Sequence, residues 1–276
     1  MSRHFDDPDL WAGQLEAYER AAASIILRAP LQRARSSGAG AFLGIADDGQ
    51  QYWFKVPGNP QGNYVLANEV IVEGVGTLIG APVCERALAT ITTASMTWDM
   101  YPGPPGPNAV TAHASRHVGG AIDDDALGYT RRDDNARRQA ALIALWDWCL
   151  GDDEQWLYEA AAQSSVWSYD HGLWFTTGEG DWDSEVLRSL EGIDGSFRQP
   201  PSGLNEQRLL EVADRIEAVT PEELLRVMSQ VPVEWGIPSG DLETMGWLLY
   251  RRAPAVAQRV RGLASLPTAT QTGNPR

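Results

Sequence analysis

The sequence predicts an α+β chain in which a small, strand-rich lobe is followed by a larger, mostly helical one. Three observations lead there. The longer segments with strand character (Phe42–Ile45, Gln50–Val56 and Pro82–Met96) lie in the first part of the chain. Beyond the breaker Tyr101–Asn108, YPGPPGPN, the pattern becomes helical, with amphipathic runs at Asn205–Val219, Pro221–Val231 and Leu242–Leu263. The 276 residues are 43% apolar and 21% charged, an ordinary globular composition with length enough for two packed lobes. The expected division is 1–120 for the first lobe, 121–264 for the second and 265–276 for a polar, flexible tail.

Each element has a local reason. Pro8–Leu27 reads as a helix, capped by Asp7 with proline at the first helical position. Arg35–Ala41, RSSGAGA, is a glycine-containing turn. Phe42–Ile45 and Gln50–Val56 form a hairpin around Ala46-Asp47-Asp48-Gly49. Strand alternation puts Tyr52, Phe54 and Val56 on one face and Trp53 with Lys55 on the other. Tyr64–Ile79 is apolar at helical spacing and stops at Gly80. Pro82–Met96 is rich in Val, Ile and Thr and reads as one or two strands. Asp133 and Asp134 precede a helix, NARRQAALIALWDWCL, that ends at Gly151. Trp156–Tyr158 and Val166–Tyr169 are short strand candidates. Thr220-Pro221-Glu222-Glu223 is a capping box, and Pro254 is expected to kink or split the last helix.

Several functions are excluded by composition. Lysine and arginine number 22 against 37 aspartates and glutamates, a net charge of −15. A chain this acidic lacks the basic face that broad nucleic-acid binding needs, although a local basic pocket for a nucleotide is compatible with it. Two cysteines, Cys84 and Cys149, allow no CxxC metal site. His113 and His117 have HxxxH spacing, but HASRH lacks the glutamate of a zinc hydrolase. No apolar stretch is long enough to span a membrane, and the charged start MSRHFDDPDLW lacks a signal-peptide core, so a cytoplasmic protein is expected.

Four elements then occur in a telling order. They are the turn Ser36-Ser37-Gly38-Ala39-Gly40, the strand lysine Lys55, Glu69 in the next helix, and an acidic cluster Asp152-Asp153-Glu154-Gln155 followed by Asp170-His171-Gly172. This is the order of parts in protein-kinase-like phosphotransferases. A strand lysine neutralises phosphate charge, a helix glutamate holds the lysine, and glycines admit backbone N–H groups to the phosphates. An aspartate before glycine holds Mg²⁺, and a further aspartate orients or deprotonates the acceptor hydroxyl. Carboxylates at a helix C-terminus oppose the helix dipole, which hints at a cation nearby.

On these residues the chain resembles the HipA-like kinases. YWFKVPGNPQGNYVLANEVIVEGVGTLIGAPV is similar to that family's lysine strand and following helix. WDWCLGDDEQWLYE with VWSYDHGLWF is similar to its catalytic loop and metal aspartate. The likeness runs from about residue 39 to 175 and is to the short, stand-alone branch. It implies a bilobal protein-kinase-like fold and transfer of the γ-phosphate of ATP, with Mg²⁺, to a serine or threonine hydroxyl of a protein. Carried over, Lys55 contacts the α/β-phosphates, Glu69 pairs with it, and Ser37 and Gly38 touch phosphate. Asp170 holds the metal, Gln155 substitutes for the family's metal-binding Asn, and Asp153 is the catalytic aspartate with Asp152 in reserve.

Alternatives stay open. The family's Asp is followed five residues later by Asn, whereas here Asp152 and Asp153 are followed at that spacing by Leu157 and Tyr158. A second register, Asp147 with Asp152, keeps the spacing but places Asp147 inside a helical run. Glu73 could replace Glu69 as partner of Lys55. The altered loop also admits a pseudokinase or nucleotide-binding scaffold, and the same fold could transfer AMP or phosphorylate a small molecule. Arg131, Arg132, Arg137 and Arg138 read as solvated helix-face charges or as a basic patch.

Overall fold

The computed structural model describes residues 5–35, 37–62, 64–92, 95, 109–175 and 181–265. Its first strands are β1 (Ile25–Arg33), β2 (Phe42–Ala46), β3 (Gln51–Lys55), β4 (Arg86–Thr92) and β5 (Ala109–Arg116). They close into a barrel in the order β1-β2-β3-β5-β4. The β2–β3 hairpin forms as its alternation predicts, with Phe42 opposite Phe54 and the two rings stacked at 5.4 Å. Leu27, Tyr52, Val56, Ile91 and Ala114 complete the barrel core.

The predicted helix Pro8–Leu27 does not form. Asp7 does cap a turn, but it is a 3₁₀ turn, Pro8–Trp11, and a second follows at Gln14–Ala17. Gly13 separates them with φ 78°. Tertiary contacts decide this. The Glu243 carboxylate accepts from the Gly13 and Leu15 N–H groups at 3.1 and 2.8 Å, and Trp11 and Leu15 are buried with the C-terminal helices. Ile25–Leu27 becomes strand instead, hydrogen-bonded to β2 and, in parallel, to β4.

Between β3 and β4 runs α1 (Val65–Ile79), closed by Gly80 in the left-handed conformation at φ 64°. It is apolar on nearly every side because barrel, loops and helices cover it. A second sheet follows, in the order β6 (Ala121–Asp124), β7 (Trp156–Glu159) and β8 (Ser165–Ser168). The segment before β4 ties this sheet to the barrel. Ser168 N–H donates to Pro82 O at 2.9 Å, and Cys84 N–H to Ser168 O at 3.0 Å.

The remaining elements are α2 (Asn135–Trp148), α3 (Ser184–Ser189), α4 (Glu206–Glu217), α5 (Pro221–Ser229) and α6 (Ser239–Ala264). The capping box forms at Thr220 and Glu223 as expected. Pro254 does not split α6. It lies on the exposed face of the helix, away from the packed side. β1, β5, β6 and α3 have no counterpart in the sequence-based expectations. The proline-rich segment Tyr101–Asn108, and the expected tail apart from Ser265, lie outside the described residues. Among the described residues no helix is long and apolar enough to cross a membrane.

Candidate active site

Barrel, α1 and the second sheet meet around a cavity of about 320 Å³ bordered by Trp53, Lys55, Glu69, His113, Gln155 and Asp170. Strand alternation explains its first wall. Tyr52 and Phe54 turn into the barrel core while Trp53 and Lys55 face the cavity.

Lys55 is buried at the end of β3. Its ammonium donates to Glu69 Oε1, and to Asp170 Oδ1 at 2.5 Å. Burial alone would lower its pKa, but the Asp170 and Glu69 carboxylates outweigh burial and hold it above the ordinary value. Burial likewise works to raise the Glu69 carboxyl. The Lys55 charge and the His171 hydrogen bond overcome it and keep the group well below the usual carboxylate range. Glu69 Oε2 also accepts from the His171 N–H at 3.0 Å. Glu73, the alternative partner, pairs instead with Arg86 at 2.5 Å.

Asp170 follows β8 in the left-handed region, φ 56°, an uncommon conformation for a residue with a side chain. The loop after it is clamped by α1. Asn68, adjacent to Glu69 and fully buried, donates to Gly172 O at 2.7 Å and Trp174 O at 2.9 Å. Its own Oδ1 accepts from Trp182 Nε1 at 2.8 Å. Gly172 has no room for a larger residue, since a Cβ there would sit 2.5 Å from Val65 Cγ1.

The acidic loop is only partly drawn in. Gln155 borders the cavity. Its amide nitrogen donates to Asp153 Oδ2 at 2.5 Å, and its Oε1 accepts from the Tyr169 hydroxyl at 3.2 Å. The one proton of that hydroxyl is shared with Asp123, the nearer acceptor. Asp153 is therefore linked to the cavity through Gln155, at a left-handed φ of 55°, and does not border it. Asp152 is exposed and accepts from the Asp153 N–H at 2.9 Å. Asp147 is not brought to the site. It is buried in α2, where Arg259 grips both its oxygens at 2.7 and 2.8 Å and Arg252 lies 3.6 Å away. The Asp147 register thus fails, because that carboxylate holds α2 to α6.

Ser37 borders the cavity, while its hydroxyl accepts from the Ala41 N–H at 3.1 Å. Gly38 does not border it and packs on Gln61, whose Nε2 would lie 2.6 Å from an added Cβ.

The order of motifs gives His113 no role beyond packing or a place near a base-binding edge. It lies opposite Lys55 on β5 and is buried in the cavity wall. Burial pushes its imidazole down to about 3, with Lys55 and Arg86 adding to the effect. Its Nδ1 is buried with no hydrogen-bond partner among the described residues. Nor does motif order single out Asn68. A signal is present all the same, as a polar Asn-Glu pair inside the apolar run VLANEVIVEGVG. Among the described residues no three His, Cys, Asp or Glu side chains are grouped to hold a metal by themselves. Asp123, Asp170 and the Gln155 carbonyl are among the oxygen donors at the cavity edge.

No protein-family model matches the chain, and no curated protein does. Solved structures do. The proinflammatory kinase CtkA of Helicobacter pylori superposes with a TM-score of 0.54 at 12% identity, over 88% of this chain and 97% of that one. The Golgi casein kinase gives a TM-score of 0.50 at 8% identity, over 95% and 77%. Its complex with Mn and ADP gives 0.50 at 9%, over 92% and 76%. The chain has a kinase-like fold. At these identities the likeness speaks for the α+β architecture and not for any one substrate.

Proposed function

We propose that this chain is a HipA-like kinase of bilobal design that transfers the γ-phosphate of ATP, with Mg²⁺, to a serine or threonine hydroxyl of a protein. The observation that carries the reading is the convergence of Lys55, Glu69 and Asp170 in one cavity from distant parts of the chain. The kinase-like fold and the neighbour solved with Mn and ADP support it.

In this reading Lys55 uses two of its three N–H donors on Glu69 and Asp170 and turns the third to the α/β-phosphates. Glu69, locked by Lys55 and the His171 N–H, keeps the ammonium from following the phosphates as they leave. Asp170 and Gln155 would hold Mg²⁺, a hard cation that takes few protein oxygens when phosphates supply the others. The metal, when bound, neutralises charge developing on the phosphate oxygens. Asp153 orients the acceptor hydroxyl. The new bond forms between that oxygen and the γ-phosphorus, the bridging bond to the β-phosphate breaks, and the hydroxyl proton passes to the Asp153 carboxylate. Positioning and charge neutralisation then supply most of the acceleration. The acidic chain suits a neutral or basic protein substrate in the cytoplasm.

One observation favours a second reading, a nucleotide-binding scaffold without transfer. The Asp152 and Asp153 carboxylates do not border the cavity. Calorimetry with Mg-ATP, together with mass spectrometry of the protein and candidate acceptors, separates the two. Transfer predicts added phosphate, lost in Asp170→Ala and Asp153→Asn, whereas a scaffold binds nucleotide and modifies nothing. An added AMP is far heavier than phosphate and would mark adenylylation. Absence of nucleotide binding, unchanged by Lys55→Ala, would refute both readings.

A further inference from the structure

A second cavity, also of about 320 Å³, opens between the end of α1, the start of α2, β8 and α4. It shares no bordering residue with the Lys55 cavity. Arg137, Arg138 and Arg208 border it with Asp134 and Trp167. In a chain of net charge −15, three guanidinium groups around one hollow need an explanation.

Arg138 is the central one. Its Nε donates to Val166 O at 2.9 Å, and its guanidinium lies 4.4 Å from the centre of the Trp167 ring. These contacts fix the plane of the fork. Its Nη2 is buried and has no hydrogen-bond partner, and Arg138 makes no ion pair among the described residues. A buried, unpaired guanidinium nitrogen is costly unless something accepts from it. The other two arginines are held from behind. Arg208 Nη2 donates to Ile79 O and Gly80 O at 2.9 and 2.8 Å. Arg137 meets Glu211 at 3.1 Å and Asp134 at 3.6 Å, and Arg208 Nη1 lies 3.6 Å from Glu211. Asp133, Glu159 and Asp134 act on Arg138 only through space, so what stands out there is the donor Nη2, which has no acceptor.

A planar fork held by stacking, with a free donor and cations on either side, is the recognition chemistry of a tetrahedral oxyanion. We propose that this cavity binds a phosphoryl group, with Arg138 as its anchor and Arg137 and Arg208 as flanking donors. The site is independent of the nucleotide reading. It also has a route to the first cavity, since β8 runs directly into Asp170 and α1 carries Glu69. A phosphoryl group bridging Arg138 on α2 and Arg208 on α4 would brace the elements that position both.

Two sources share this chemistry, free phosphate and a phosphorylated side chain. Calorimetric titration of the full chain with inorganic phosphate, and separately with N-acetyl-phosphoserine amide, tests the proposal at constant ionic strength maintained with chloride. Saturable binding of at least one probe is expected, weakened about tenfold or more by Arg138→Gln and by Arg208→Gln. Arg138→Lys keeps the charge but loses the fork, and should bind more weakly than the wild type. Tighter binding of the phosphoserine probe assigns the site to a phosphorylated side chain, and equal or tighter binding of inorganic phosphate assigns it to the free ion. Circular dichroism checks that each variant is folded, and Arg137→Gln, on the half-buried surface of α2, serves if Arg138→Gln is not. The proposal is overturned if neither probe binds saturably, or if folded variants bind as the wild type does.

Discussion

The Lys55 ammonium lies 2.5 Å from Asp170 Oδ1, although 115 residues separate them in sequence. The same ammonium meets Glu69, so one cation links β3, α1 and the loop after β8. The two carboxylates differ in setting. The Glu69 side chain is 4% exposed and that of Asp170 is 35% exposed. Removing the lysine therefore strands a buried charge at Glu69 more than at Asp170.

From that asymmetry, Lys55→Met should abolish phosphate transfer and also destabilise the fold by about 3–5 kcal/mol, the usual cost of orphaning one member of a buried ion pair. Adding Glu69→Gln should restore roughly 1 kcal/mol or more of stability while leaving transfer absent. Urea denaturation of the two single variants and the double variant measures the coupling. If the double variant were no more stable than Lys55→Met, the pair would not act as a unit.

Asp147 and Asp170 should separate stability from chemistry. Asp147→Asn removes the charge that faces Arg252 and Arg259, at a cost of about 3–5 kcal/mol, with kcat of the folded fraction little changed. Asp170→Asn should lower kcat at least about a hundredfold, with a melting temperature close to that of the wild type. Thermal melts and phosphate-transfer rates on the same samples decide it. Large loss of kcat in Asp147→Asn, without loss of stability, would return the catalytic role to α2.

Legibility in the sequence tracks how local each cause is. The β2–β3 hairpin, α1 with its Gly80 stop and the capped α5 rest on alternation, caps and turns within a few residues, and each is legible. The chain start is not. Asp7 and Pro8 begin a turn as their types dictate, but Glu243, 228 residues beyond Leu15, settles the path of the chain after it. β5 is hidden because AVTAHASR has small and polar residues and becomes a strand through pairing with β3 and β4. At the site, the lysine, glutamate and aspartate can be named from order alone. How far Asp153 stands from the cavity depends on a side-chain network with Gln155, Tyr169 and Asp123 that no spacing encodes.

Asn68 is expected to be a positioning residue. It fastens α1 to the loop after Asp170 through two carbonyls and receives the Trp182 N–H. Asn68→Leu keeps the volume but leaves these partners unpaired, at about 1–3 kcal/mol for each buried group left without water. kcat should fall roughly tenfold to a hundredfold while the KM for ATP moves less, because misplacing the Asp170 loop harms the transition state more than binding. Steady-state kinetics check the split. A rise in KM alone would place the effect of Asn68 in nucleotide binding.

His113 gives a pH signature that can be read without substrate. Its imidazole stays neutral in the fold down to about 3, against an ordinary value of 6.5, chiefly because burial disfavours its charged form. The unfolded chain therefore takes up a proton near 6.5 that the folded chain refuses. The stability this leaves intact above that pH is lost progressively as the pH falls toward 3. At about pH 4.5 the loss amounts to about 2–3 kcal/mol relative to neutral pH. His113→Leu removes this titration, and also the unpartnered Nδ1, so it should equal or exceed the wild type at neutral pH and lose less on acidification. Acid-sensitive pairs away from His113, such as Arg259–Asp147, remain in both proteins and cancel in the comparison. Urea titrations at about pH 7.5 and 4.5 supply the four stabilities. Parallel losses in the two proteins would mean that the His113 imidazole charges freely within the fold, and its place in the cavity wall would have to be open to water.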